Sequence, residues 1–496
     1  MSIPKHILSK STFMRGLQCH KSLYMHKYYA EYKDPLTPLQ EAIFSRGTNV
    51  GELAQELFPG GVDSSPETPY EYQKAVSYTK QLIDEGVEII YEACFQYEKV
   101  LVALDILVKK DDKWHAYEVK SSTRVKDTHL RDASLQYHVI AKSGIPLKSI
   151  NLVHINNTYI KDGEIDIKKL FHIENLTGQV ISNQGLISDT IPLLKNMLTD
   201  KEIPNVNIGE HCNSPYTCDF KGHCWAKIPK NSVFNISGLH MIKAMELYMK
   251  GIIKMEDIPD SLPLNKSQRM QVNAVKNGKT YTEHKKISEF INTVSFPAYF
   301  FDFETLMPAV PVWEKTKPYQ QIPFQYSIHY RADREHDAEH FEHLAITDGS
   351  DPRIALAKQL INDTKRPGDI WVYNISFERS RLIEMGRDFP QYADDLKKIV
   401  CRLRDLMIPF QQKLFYSAEM EGRHSIKKVL PAMIPEMNYD GLEINEGGTA
   451  SNTFEAMVSG NFKGDIEKTR KDLLEYCKLD TYAMVKVLDK LFELAT

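Results

Sequence analysis

Two strand-like runs, VALDILV and WHAYEVK, flank the polar turn Lys110-Asp111-Asp112-Lys113, the pattern of an antiparallel hairpin closed by a short loop. A two-residue turn on Asp111-Asp112 sets the pairing and puts Asp105 opposite Glu118, with side chains starting about 5 Å apart. Period-2 alternation places Glu118 and Lys120 on one face of their strand. Upstream the spacing is helical. Ser9 to Glu31 reads as one amphipathic helix with a serine cap, with Phe13, Met14 and Leu17 on its apolar side and Cys19 within it. Phe44 to Gly61 reads as a second helix closed by Pro-Gly-Gly, and Tyr70 to Glu85 as a third before a strand near Glu88 to Phe95. Downstream come a helix over Leu130 to Gly144, a strand over Ser149 to Asn156 and a helix over Ile181 to Leu198. This mixture predicts an α/β core.

The pattern is mostly helical with turn signals from 232 to 293, and then changes to FPAYFFDFETLMP. A strand over Ala298 to Thr305 carries Asp302 and Glu304 on one face, set between aromatics that face a core. A strand over Ile370 to Tyr373 leads into a helix with Asn374 and Glu378 four apart. Near the end, LLEYCKLDTYAMVKVLDKL is an amphipathic helix on which the same spacing puts Tyr476 and Asp480 on one face. The boundaries divide the chain into 1–231, 232–293 as a helical spacer, and 294–496.

At 496 residues the chain is too long for one core, and 42% hydrophobic with 26% charged residues excludes disordered and fibrous classes. A formal net charge of -4 means that nucleic acid has to be bound through local patches such as Lys120, Arg124, Lys126 and Arg131. No apolar run approaches a membrane span, and MSIPKHILSKSTF lacks a hydrophobic signal segment, so a cytoplasmic protein with no membrane partner is expected. There the seven cysteines are thiols or metal ligands rather than disulfides. Cys212, Cys218 and Cys224 suggest a metal centre short of one ligand, which Cys19 can supply; His211, His223 or His20 would complete a zinc set instead. Asp105, Glu118 and Lys120 together can hold Mg²⁺ through oxygen ligands and place a cation beside a phosphate.

Cys19, Asp105, Glu118-Val119-Lys120, Gln136 and the late cysteine group together resemble the RecB-like branch of the PD-(D/E)xK nucleases over about residues 1 to 230. They look most like the iron-sulfur exonucleases of CRISPR adaptation and DNA end resection. The resemblance implies that Cys19, Cys212, Cys218 and Cys224 hold a 4Fe-4S cluster, that Asp105 and Glu118 bind catalytic metal, that Lys120 assists the attacking water, and that Gln136 supports the site. The family's metal-binding His in the early helix has no counterpart. Gly51 stands near its place, with Glu52 or Glu56 as substitutes.

From 294 to 496, D-x-E on a strand, N-x3-acid after a second strand and Y-x3-D on a late helix resemble the tyrosine-type DnaQ-like 3′-5′ exonucleases, which have an RNase H-like fold. That implies that Asp302, Glu304, Glu378 and Asp480 hold two divalent ions, Mg²⁺ or Mn²⁺, about 4 Å apart, and that Tyr476 orients the nucleophilic water. Glu378 stands where the family usually has Asp. Arg402, Arg404, Asp405, His424 and Lys427 are candidates for contacts to substrate phosphate, and Cys401 and Cys477 are expected as buried thiols. The joined order also resembles a family of bacterial fusion proteins whose biology is largely uncharacterised. The expected function is a metal-dependent nuclease with two centres that cleaves DNA, single strands or ends preferred, in repair, CRISPR-type processing or phage defence. The alternatives are a nucleic-acid binding or repair scaffold with one or both centres inactive, and an RNA-processing exonuclease, since these motifs do not read a 2′-hydroxyl.

Overall fold

In the computed structural model, which describes residues 6–68 and 70–495, the chain is mixed α/β and divides into two units. One takes the chain up to Lys227 together with Ala309–Tyr319; the other takes Ile228–Pro308 and Gln320–Thr496. Among the described residues, no helix is long and apolar enough to cross a membrane.

The first unit opens with α1 (Lys10–Gln18) and α2 (His20–Tyr28), capped by Ser9 and Cys19. The single helix expected over Ser9 to Glu31 is thus two. Cys19 sits at φ -163 and ψ 117, ending α1 through its N–H to the Arg15 carbonyl and capping α2 through a thiol that accepts from the Ser22 N–H. Helical spacing continues on both sides of the break, so periodicity alone does not register it. Next, α3 (Pro38–Gln55) starts before Phe44, because Thr37 and Gln40 form a capping box with Pro38 in the first turn.

The hairpin follows as β1 (Ile89–Tyr97), β2 (Val100–Lys110) and β3 (Lys113–Lys120). Asp111 and Asp112 take φ of +50 and +55, the primed turn whose twist suits a two-residue hairpin. Pairing runs from Lys110↔Lys113 to Ile106↔Tyr117, the register the turn predicts. Then α4 (Asp127–Lys142) crosses over to β4 (Leu147–Ile155), parallel to β3, and β5 (Phe171–Asn175) pairs antiparallel with β4 at the sheet's edge. One sheet face, with Leu104, Ala116 and Leu152, packs against α1 and α4 residues such as Phe13, Ala133 and Leu135. The other face, with Val119 and Val153, packs against Val50 and Ala54 of α3 and also Ala309. By alternation Glu118 and Lys120 lie on the α1/α4 face. Ala309–Tyr319, expected in the C-terminal domain, therefore belongs to the first unit, where the Tyr319 hydroxyl donates to the Ser121 carbonyl.

In the second unit the stretch 232–293 is no independent spacer. It has its own small core of Val233, Ala244, Leu247, Met255, Ile258 and Val272, and Tyr281–Thr282 pairs with Phe415–Tyr416. The main sheet is built from β6 (Ala298–Leu306), β7 (Ile322–Arg331), β8 (Glu339–Leu344), β9 (Asp369–Val372) and, after α5 (Ile375–Asp388), β10 (Leu403–Asp405). Its order is β8-β7-β6-β9-β10, with β6, β9 and β10 mutually parallel. Tyr299, Phe301 and Phe303 point into the core with Ile370 and Leu382. Alternation turns Asp302 and Glu304 to the opposite face, against α6 (Gly447–Val458) and α7 (Ile466–Leu494).

Candidate active sites and cysteine pocket

In the first unit the face alternation of two strands breaks at one row. Ile90 and Ala93 share a face although three residues apart, as do Leu104 and Leu107, so the breaks fall at Glu92 and Asp105. Glu92 takes φ +51. There the ladder is replaced by a side chain: the Val119 N–H donates to Asp105 Oδ2 at 2.5 Å. Beside it Glu118 is fully buried. Its Oε1 accepts from Lys10 Nζ at 2.8 Å and from Lys120 Nζ, and its Oε2 accepts from Gln136 Nε2 at 2.7 Å. Lys120 also pairs with Asp132 at 2.9 Å.

The predicted Asp105, Glu118, Lys120 and Gln136 thus meet, and Lys10, Asp132 and Glu92 join them. Asp132 had a readable signal, lying four residues before Gln136 on one helix face. Lys10 had none. Burial raises the Glu118 pKa, but Lys10 and Lys120 outweigh it and hold this carboxylate well below the usual range. Asp105 is pushed up to about 8 by burial and by the nearby Glu118 charge, and Glu92 to about 7, chiefly by burial. Burial also works against the Lys120 cation, yet Asp132 and Glu118 keep its proton on. Lys120 is therefore an internal ion-pair partner rather than part of a surface basic patch; Arg124, Lys126 and Arg131 are exposed. Glu52 and Glu56 are exposed on α3, which covers the other sheet face, so neither replaces the missing His.

In the second unit Asp302, Glu304 and Asp480 bring one carboxylate oxygen each within 4.8 Å of one another. Glu378, buried at the start of α5, is hydrogen-bonded to Asp302, and its Oε2 has no protein partner. Tyr439 donates to Asp480 Oδ1 at 2.6 Å; Lys427 Nζ donates to the Tyr476 hydroxyl at 3.0 Å and lies over both tyrosine rings. Gly447, at the start of α6, approaches so closely that a Cβ there would meet Glu304 Oε2 at 3.4 Å.

Tyr439 carries no motif signal and was not expected. Of the proposed phosphate contacts, Lys427 stands beside the acids, holding the Tyr476 hydroxyl and presenting its charge to Asp302, Glu304 and Asp480. Asp405 is taken by the backbone N–H groups of Asn374, Ile375 and Met407, Arg402 by the carbonyls of Thr364, Arg366 and Gly368, and Arg404 by Asp369; the His424 carbonyl accepts from the Tyr373 hydroxyl, a backbone contact that does not involve its imidazole. Burial, then the Asp480 charge, pushes Asp302 up to about 8; burial and its neighbours raise Glu304 and Glu378 far above the usual range, and burial raises Asp480.

Between the ordinary carboxylate range and about pH 8 the folded, metal-free protein binds a proton at Asp302 that the unfolded chain has released, so this group's contribution to stability falls as pH rises through that window. Glu118 has the opposite sign: its stabilisation is present above the ordinary range and is lost as pH falls. The melting temperature of chelator-treated protein is therefore expected to fall from pH 6 to pH 8, with Mn²⁺ or Asp302→Asn flattening the slope. A melting temperature that rises over this interval would contradict the assignment.

The four cysteines of the predicted set line one pocket, together with Ser22, His211 and Phe220. All are free thiols, and burial raises the pKa of Cys19 and Cys224. Among the described residues, no three of their sulfurs lie within 4.8 Å of one another. Early and late segments are tied around the pocket. Arg15 makes a two-pronged ion pair with Asp219, Ser22 Oγ accepts from Cys218 Sγ at 3.3 Å, and Gln18 donates to the His211 and Tyr216 carbonyls, both at 2.7 Å. His211 Nε2 is 3.7 Å from Cys212 Sγ, whereas His223 packs against Tyr32. Cys477 is buried as expected; Cys401 is exposed, a correction to its reading as a buried thiol.

A family model described as "Domain of unknown function (DUF2779)" matches residues 299–425, so Asp302, Glu304 and Glu378 fall inside the match and Tyr476 and Asp480 outside it. The chain is similar to the uncharacterized protein MG366 homolog of Mycoplasma pneumoniae, 28% identical over 208 residues that cover 38% of this chain and 31% of the relative. It is also similar to the uncharacterized protein UU173 of Ureaplasma parvum, 26% identical over 223 residues, 38% of this chain and 30% of the relative. The chain spans about a third of the length of these relatives.

Proposed function

We propose that this chain is a nuclease of the cytoplasm with two centres, a DnaQ-like 3′-5′ exonuclease centre in the second unit that carries the metal-dependent chemistry and a RecB-like PD-(D/E)xK centre in the first, acting on DNA with a preference for single strands or ends. The observation that carries the reading is the meeting of Asp302, Glu304 and Asp480, with Glu378 hydrogen-bonded to Asp302, from three distant segments of one unit. Three buried acids and the half-buried Asp302, repelling one another, are costly unless cations balance them. The unpartnered Glu378 oxygen and the raised carboxylate pKa values fit a site meant for Mg²⁺ or Mn²⁺. Such ions, when bound, supply charge for the attacking and leaving oxygens of a phosphodiester.

The protein's own groups do the rest. Asp302, Glu304, Glu378 and Asp480 present the oxygen ligands, and Tyr439 holds Asp480 in its rotamer. Tyr476, fixed by Lys427, offers a hydroxyl that orients water, and the lysine ammonium faces the phosphate's charge. Gly447 leaves room that a side chain would fill.

The first unit gives a different answer for metal. Both Glu118 oxygens and one Asp105 oxygen are already bound by Lys10, Lys120, Gln136 and the Val119 N–H. This arrangement does not fit an ion, and no metal step is derived through it. It favours a second reading for this unit alone, binding of nucleic acid without turnover. The cysteine pocket supports a 4Fe-4S cluster: four thiols from the early and late segments of the unit line one cavity. Anaerobically purified protein is expected to be brown with broad visible absorbance, and Cys218→Ser to lose it. Colourless protein holding stoichiometric zinc would replace the cluster with zinc.

The deciding assay offers full-length protein end-labelled single-stranded DNA, duplex DNA and matched RNA with Mn²⁺. Single-stranded DNA is expected to shorten fastest, and Glu118→Ala/Asp302→Ala to be inert. Undiminished cleavage by that double variant rejects the nuclease reading; faster loss of RNA moves the substrate class to RNA.

A further inference from the structure

One strand over from the first acid centre, where Glu118 pairs with Leu152 and Lys120 with His154, β4 and the edge strand β5 bring together a second kind of ligand set. His154 stands directly across from His172 and Leu152 across from Glu174, so alternation puts His154, His172 and Glu174 on one side of the sheet. Their ligand atoms lie within 4.8 Å of one another, with His154 Nε2 3.8 Å from Glu174 Oε2 and the two imidazole rings 5.2 Å apart.

His154 is oriented from behind. It is buried to 6% exposure and its Nδ1 lies 3.2 Å from the Ile155 carbonyl oxygen, an acceptor only, so Nδ1 carries the proton and donates. In the neutral ring that leaves the lone pair on Nε2, the nitrogen turned to Glu174. A backbone carbonyl that fixes the tautomer of a ligating histidine is the outer-shell feature found at metal sites. His172 and Glu174 are exposed, so the open side of the set faces water.

We propose that His154, His172 and Glu174 bind one divalent first-row transition ion of the zinc class. Two imidazoles and one carboxylate are borderline donors that suit zinc, nickel or iron, whereas Mg²⁺ takes oxygen ligands. Three protein ligands leave coordination positions to solvent. The ion bridges β4 to the edge strand β5 and so pins a strand that is otherwise paired on one side only.

The test uses the full-length chain. Zn²⁺ is titrated calorimetrically and the bound metal counted after dialysis, for the parent and for His172→Ala and Glu174→Gln, both at exposed positions. Cys218→Ser is carried alongside to identify zinc held by thiols. The expected result is one equivalent of Zn²⁺ fewer in His172→Ala, an affinity lower by about tenfold or more in Glu174→Gln, the same equivalent retained in Cys218→Ser, and no displacement by excess Mg²⁺. Equal melting temperatures of parent and both variants in chelator show that the fold is kept. Unchanged stoichiometry and affinity in both variants overturn the proposal, as does complete loss of zinc in Cys218→Ser alone.

Discussion

Asp302→Asn is expected to lower DNA cleavage by the second unit about 10³-fold while raising the stability of the metal-free protein at pH 8. A carboxylate ligand that helps neutralise a phosphodiester transition state is worth several kcal/mol, and about 4 kcal/mol corresponds to that factor. Asn keeps the size and removes the charge. The charge is what the fold tolerates poorly: burial and Asp480 have pushed Asp302 up to about 8, so at that pH its ionisation works against folding. Activity and stability should therefore move in opposite directions, the signature of a residue retained for chemistry at a cost to the fold. The measurement is exonuclease rate in a Glu118→Ala background, where only the second unit reports, beside a melting curve in chelator. Full activity in Asp302→Asn removes Asp302 from the site, and a lowered melting temperature shows that its role is structural.

Glu118→Gln is expected to move both quantities the same way. Gln preserves the shape and the contact to Gln136, but leaves the Lys10 and Lys120 ammonium groups facing a neutral amide. Removing one member of a buried charge cluster costs about 3–5 kcal/mol, which for a unit of this size is a fall in melting temperature of about 10 °C. Any cleavage assigned to the first unit should vanish with it. Lys10→Met/Glu118→Gln separates the two effects: removing the stranded cation should recover part of the melting temperature and none of the activity. A double variant no more stable than Glu118→Gln would show that Lys10 is not held by this carboxylate. Cleavage by the first unit that survives Glu118→Gln would leave the cluster a purely structural role.

Much of the site was readable because it depends on short-range geometry. A primed turn at Asp111-Asp112 dictates its own register, so the neighbourhood of Asp105 and Glu118 follows from counting along two strands. Strand alternation likewise places Asp302 and Glu304 together on the side away from Phe301 and Phe303. Clustered cysteines signal a shared site by composition alone. Lys10 lies 108 residues from Glu118, Tyr439 is 41 from Asp480, and His154 meets His172 only because β5 pairs with β4.

The amino-acid pattern by itself determined where most strands and helices lie though not every end or break, which face each acid takes, and that two sets of acids and one set of thiols exist. Tertiary structure decided the charge each acid carries and its company: Glu118 ionised between two lysines, Asp302 pushed to about 8 among carboxylates, Cys19 turned out of a helix toward late cysteines, and Ala309–Tyr319 placed in the first unit. The division has one physical cause. Backbone periodicity is set by neighbours a few bonds away, whereas a side chain's protonation and its ligands are set by burial and by groups that only the folded chain brings within a few ångströms.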